Sequence, residues 1–162
     1  MTTDQYNQLV DKHADGLYRF VLKTCNNSDK AKDIVQDSFE RLWQNVSNID
    51  AEKAKSYLFT TAYHIFVDTH RKDSKQERLN TSRIAEPMHN SQYSDLQEVL
   101  HRALNQLPEI QRSVVLLRDY EGYSYDEISE ITGLSESQVK VYIFRARVAL
   151  KEIIGSPAAV LE

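Results

Sequence analysis

Between Ser124 and Arg147 the chain carries two helix-start signals separated by a single glycine, an arrangement that leaves few folds open. Ser124 with Glu127, and Ser135 with Gln138, are S-x-x-E/Q pairs. In each, the serine hydroxyl accepts from a backbone N–H one turn on, and the acid or amide accepts from the serine's own N–H. Two donors left unpaired at a helix start are thereby satisfied together. Gly133 lies between the two signals, where a left-handed residue can end the first helix. Ile128 and Ile131 give that helix an inner face, and Val139, Ile143, Ala146 and Leu150 recur at helical spacing in the second. The outer face of the second helix then carries Ser137, Lys140, Val141, Phe144 and Arg145, with Arg147 flanking. A helix-turn-helix that presents methyl, aromatic and guanidinium groups suits base edges and phosphates in a DNA major groove. A merely solvated basic hairpin is the plain alternative, but it has no use for an outward Val141 and Phe144.

The remainder of the chain reads as helical throughout. A first helix from Tyr6 carries Leu9, Val10, His13, Leu17, Tyr18 and Val21 at helical spacing, and Ser28 is placed as the cap of a second. The second has the cleanest periodicity, with Ala31, Ile34, Val35, Ser38, Phe39, Leu42, Trp43 and Val46 inward and Asp33, Gln36, Asp37, Glu40, Arg41 and Gln44 outward. A third runs from about Ala54 to the basic pair Arg71-Lys72, with Tyr57, Leu58, Ala62, Ile65, Phe66 and Thr69 inward. From Asp73 to Asp95 polar residues dominate and periodicity disappears, as expected of a flexible linker with little core of its own. Apolar spacing returns from Leu96, and Pro108 is placed as the first residue of a helix that Gly122 closes. The expectation is all-α: a helical lobe over 1–73, a linker over 74–95, a helix-turn-helix lobe over 96–155 and a tail over 156–162.

Composition narrows the chemistry. The net charge of −4 argues against indiscriminate nucleic-acid binding, since nonspecific affinity rests on phosphate neutralisation. DNA contact must therefore come from local basic patches or from a larger partner. No apolar run approaches membrane-spanning length, the first residues lack a signal-peptide layout, and the single Cys25 excludes an internal disulfide framework. A cytoplasmic location is the expectation. The histidines and Cys25 form no metal-ligand spacing, and His13, on an apolar stripe, reads as a core histidine. No convergent acid–base or nucleophile constellation is visible, so neither a cofactor nor a catalytic site is expected.

Two lobes in this order, with this linker, resemble an extracytoplasmic-function (ECF) sigma factor of bacterial RNA polymerase, of the sigma-70 family. The segment Asp33-Ile-Val-Gln-Asp-Ser-Phe-Glu-Arg-Leu-Trp43 is similar to the family's polymerase-binding helix, and Tyr57 to Lys72 to the helix that opens the duplex and reads the −10 element. Leu107-Pro108, Arg112, and Leu116 through Arg147 are similar to the domain that reads the −35 element. The resemblance implies that Asp33, Gln36, Asp37 and Glu40 dock on the clamp coiled coil of the largest polymerase subunit. It implies −10 contacts from Lys55, Tyr63, His64, Arg71 and Lys72, and a phosphate contact from Arg118. Ser137, Lys140, Val141, Phe144, Arg145 and Arg147 would face the −35 element. The chain departs from the family at His64, commonly Asn, and at Val141-Tyr142, commonly a small residue followed by Arg. One arginine fewer and an acidic net charge leave room for a DNA-recruiting partner, and the resemblance itself leaves room for an anti-sigma factor. A LuxR-type regulator, with a sensory first lobe, is the competing class. It shares the helix-turn-helix but would want a ligand pocket rather than the Asp33–Trp43 ridge.

Overall fold

The computed structural model describes the backbone of residues 1–79 and 95–155 and the side chains of 1–69 and 97–155. Among the described residues the protein is all-α. The linker expected over 74–95 falls largely outside them. The first lobe consists of α1 (Thr3–Cys25), α2 (Ser28–Gln44) and α3 (Ala54–Leu79), with a short 3-10 turn, Ala51–Lys53, leading into α3. The second consists of α4 (Asp95–Gln106), α5 (Glu109–Val115), α6 (Tyr125–Thr132) and α7 (Glu136–Ile154).

Helix α1 begins earlier than its apolar stripe suggests, because Thr2 and Gln5 form a third capping box. The Gln5 amide N–H donates to Thr2 Oγ1 at 3.2 Å and the Thr2 N–H donates to Gln5 Oε1 at 2.9 Å. It ends at Asn26, whose φ of 56° lies in the left-handed region that Asn tolerates better than most side chains. The cap of α2 is Asn27, which accepts from the Lys30 N–H at 3.1 Å; Ser28, expected in that role, is the first helical residue. Leu17, Phe20, Val21, Ile34, Phe39, Leu42, Leu58, Phe59, Ala62 and Phe66 pack the first lobe. The Phe20 and Phe59 rings lie 5.5 Å apart. Ser38 and Thr24 are buried with them, and each hydroxyl donates back to a carbonyl one turn earlier, Ile34 and Phe20, at 2.7 Å.

In the second lobe Pro108 caps α5 and Glu109 is its first residue, one position from the sequence expectation. Helix α5 then widens into a π-helical turn over Leu116–Tyr120, which no periodicity signals. The Glu121 N–H reaches Leu116 O at 3.1 Å and the Tyr123 N–H reaches Leu117 O at 3.0 Å, with Gly122 at φ 75° between them. Both expected capping boxes form. The Glu127 and Gln138 N–H groups donate to Ser124 and Ser135 Oγ at 3.2 and 3.1 Å, and Gly133 takes φ 79°. Val139, Ile143 and Ala146 are fully buried against α5, while Leu150 is half-buried.

The lobes also pack on each other, α3 against α6, with the Tyr123 ring edge-on to Phe59 at 5.3 Å. Each lobe is legible in the sequence; this contact is not.

Two substitutions separate capping from packing in the helix-turn-helix. Ile143→Ala removes a fully buried side chain and should cost about 2–5 kcal/mol, whereas Ser135→Ala removes one cap and should cost about 0.5–2 kcal/mol. Urea titrations followed by circular dichroism measure both, and equal losses would contradict the packing described.

Candidate nucleic-acid and partner interface

The outward residues of α2 form one exposed line. Asp33, Gln36, Asp37 and Glu40 all face solvent, opposite the buried Ala31, Ile34, Ser38 and Leu42. Trp43, expected inside, is corrected by the structure: it lies one position round the helix from that buried line and remains 45% exposed. Its ring meets Tyr6 edge-on at 4.9 Å, and the Tyr6 hydroxyl donates to Phe39 O at 3.1 Å. The acidic ridge therefore ends in an aromatic plate. Such plates, flanked by charge, serve as anchors in protein interfaces. Trp43 follows the buried Phe39 at a step of four, the spacing that placed it inward, but the buried line of α2 runs through Leu42 instead.

Helix α3 divides its expected DNA contacts. His64 is exposed, with its ring edge-on to Tyr63 at 5.6 Å. Tyr63 itself is 6% exposed and belongs to the core, so it is not available as a stacking platform in this conformation. Lys55 is half-buried, its Nζ 4.9 Å from the centre of the Tyr123 ring. Its charge, with that of Lys12, adds to the burial that holds the His13 pKa below its ordinary value. His13 is half-buried, in keeping with a histidine at the edge of a core. Arg71 and Lys72 lie on the backbone of α3, and their side chains are outside the described residues.

Helix α7 presents its outer face without obstruction. Ser137, Lys140, Val141, Phe144 and Arg145 are exposed, Phe144 to 69%. Tyr142 turns partly inward. Lys140 Nζ lies 5.6 Å above the Tyr125 ring, so it stays near the surface of the turn. Arg147 is tied to Asp119 by two hydrogen bonds of 2.6 and 3.2 Å, and that pairing raises its pKa. Arg118 is half-buried: its Nη1 donates to Tyr123 O at 2.9 Å and its guanidinium lies 4.7 Å above the Tyr125 ring. Arg118 thus braces the loop that enters α6, in addition to any contact its remaining donors make. Among the described residues no cluster of His, Cys, Asp and Glu could hold a metal ion, and no helix is long and apolar enough to cross a membrane.

The brace has a measurable consequence. Arg118→Ala should lower stability by about 1.5–3 kcal/mol, the range for a charge-assisted hydrogen bond, while Arg145→Ala, on the exposed face of α7, should leave stability within about 0.5 kcal/mol of the parent. Thermal melts of the two variants decide this.

Residues 9–76 match the Sigma-70 region 2 family and residues 97–150 match Sigma-70, region 4. The chain is 30% identical over 158 residues to the ECF RNA polymerase sigma factor SigM of Bacillus subtilis, covering 94% of this chain and 95% of that protein. It is 27% identical to the RNA polymerase sigma factor YlaC of the same organism, covering 92% and 91%. Among solved structures it resembles the sigma factor RpoE in complex with the anti-sigma factor NepR from Bartonella quintana, with TM-score 0.80 and 28% identity over 92% of this chain and 96% of that one. The fold also matches CnrH in complex with the cytosolic domain of CnrY, with TM-score 0.67 and 22% identity over 92% and 86%. With both family regions matched in order along the chain, the protein belongs to the sigma-70 family, in its extracytoplasmic-function group.

Proposed function

We propose that this sigma factor, which directs promoter-specific transcription by core RNA polymerase, divides its contacts between the lobes as follows. Asp33, Gln36, Asp37 and Glu40 dock on a basic surface of the polymerase, the clamp coiled coil of its largest subunit, with Trp43 as the apolar anchor at the end of the ridge. Lys55, His64, Arg71 and Lys72 on α3 serve the opening and reading of the −10 element. Ser137, Lys140, Val141, Phe144 and Arg145 on α7 enter the major groove at the −35 element, with Arg118 and Arg147 at the margin. One observation carries the reading: α7 is capped, fixed on its inner side by Val139, Ile143 and Ala146, and exposed along a face that mixes cations with Val141 and Phe144. Val141 and Phe144 suit contact with thymine methyls, and the cations beside them suit guanine edges and phosphates.

The chain acts as a non-catalytic specificity subunit, since nucleotide addition belongs to the polymerase, and it works in the bacterial cytoplasm. An anti-sigma factor is the expected regulator, in keeping with the partners of RpoE and CnrH. A separate DNA-recruiting partner is supported by the net charge of −4 and by the partly inward Tyr142. The ligand-sensing LuxR alternative is not favoured, because the first lobe matches sigma region 2.

Reversing charge at Asp33 and Asp37 to Arg should leave helical circular dichroism unchanged and abolish pull-down of core polymerase, because both lie on the exposed ridge. Retained pull-down would refute the docking role. For DNA, Arg145→Ala in holoenzyme should cost roughly 1–3 kcal/mol and relax preference at one base pair. Binding titrations over several salt concentrations measure it. An unchanged set of transcribed promoters would instead assign promoter choice to a recruiting partner.

A further inference from the structure

We infer that Tyr125 is a positioning residue for promoter DNA: its ring gathers Arg118 and Lys140 at the start of the helix-turn-helix and holds them ready for phosphates. This rests on the assignment of α7 and Arg118 to the −35 element. Tyr125 is the first residue of α6, and the Ser124–Glu127 capping box fixes the backbone from which its side chain leaves. The ring is half-buried and draws cations from two other elements. The Arg118 guanidinium, from the π-helical turn, lies 4.7 Å above its centre, and Lys140 Nζ, from α7, lies 5.6 Å from it. Arg147 completes the group. It is bound to Asp119 at 2.6 and 3.2 Å, and the Tyr125 hydroxyl is a further neighbour of its guanidinium. Three positive side chains from two elements thus converge on one aromatic residue.

Gathering like charges is unfavourable unless something offsets their repulsion. A carboxylate does so, as Asp119 does for Arg147, but it cancels the charge that a phosphate is to meet. An aromatic ring attracts a cation through its quadrupole and leaves the net charge intact. Over Tyr125, Arg118 and Lys140 therefore stay full cations held at a set place. Long side chains lose rotamer freedom when they bind, and one already held loses less.

The placement fits the use. In a helix-turn-helix the first helix crosses the DNA backbone while the second lies in the major groove. Tyr125 begins that first helix, and the cations over its ring lie beside the exposed face of α7, on the side where the backbone runs. Phosphate contacts fix register but carry no sequence information. The signature of Tyr125 is therefore an affinity and salt dependence shared by all promoters, distinct from the base-pair preference expected of Arg145.

The test uses holoenzyme assembled from the full chain and core polymerase, titrated with promoter fragments recovered from holoenzyme-bound DNA. Tyr125 is replaced by phenylalanine and, through nonsense suppression, by pentafluorophenylalanine. The two rings are similar in shape, but fluorination reverses the quadrupole, so the second repels cations. Circular dichroism melts check that both variants fold. The conservative Tyr125→Phe keeps the attraction and should bind within about twofold of the parent. The pentafluoro ring should weaken binding about tenfold on every fragment and lower the slope of log affinity against log salt by about one to two. With Arg118→Ala and Lys140→Ala in place, exchanging the two rings should change affinity by less than about twofold, because no cation remains over them. Equal affinities and slopes for the two rings would overturn the positioning role. So would an undiminished effect of the pentafluoro ring once both cations are gone. Arg145→Ala separates the two levels. If it weakens binding and the pentafluoro ring does not, the DNA assignment stands and the positioning role falls; if neither changes affinity, the assignment of α7 to DNA falls as well.

Discussion

Phe59 is packed from two directions, and much of the molecule follows from that. On one side its ring meets Phe20 of α1 at 5.5 Å, which fixes α3 in the first lobe. On the other it meets Tyr123 at 5.3 Å, which seats the second lobe. Aromatic pairs in this tilted, edge-on range add about 0.5–1.5 kcal/mol beyond the area they bury. The first pair belongs to the core of the first lobe; the second joins the two lobes. One side chain therefore serves both the core of a lobe and the contact between the lobes.

Charge is arranged with the same separation. The ridge of α2 is acidic and the face of α7 is cationic and apolar, so a chain of net charge −4 still presents a local patch suited to phosphates. A ridge of carboxylates sets the orientation and rate of docking on a basic partner more than the affinity, and the half-exposed Trp43 ring closes the end of that ridge. Around the turn before α6, Arg118 and Arg147 are held by Tyr123 O and Asp119, which makes them parts of the scaffold that positions α7.

Much of this was legible in residue order. The capping boxes at Ser124 and Ser135, Gly133, and the buried stripe of α7 are local features, closed within one or two turns, and all formed as the spacing predicts except at Leu150, which is half-buried. The box at Thr2 and Gln5 was equally local and was overlooked because the apolar stripe begins later. Helix α3 runs to Leu79, beyond Asp73 where periodicity fades. Lys75, Gln76, Glu77 and Arg78 are good helix formers, and a helix already nucleated propagates through such residues.

The sequence alone determined the helical class, the two lobes, their order, and the residues that face outward on α2 and α7. These depend on spacing within single helices, where sequence distance and spatial distance are tied by the helical repeat. Tertiary structure decided which outward groups remain free. Tyr63 goes to the core, Trp43 to the surface, Arg118 to a carbonyl, and Lys55 over the Tyr123 ring. It also decided that Arg19 meets Glu121, a partner far along the chain. Such contacts join elements whose separation no local pattern encodes, because they depend on how whole faces of helices dock once each face has formed.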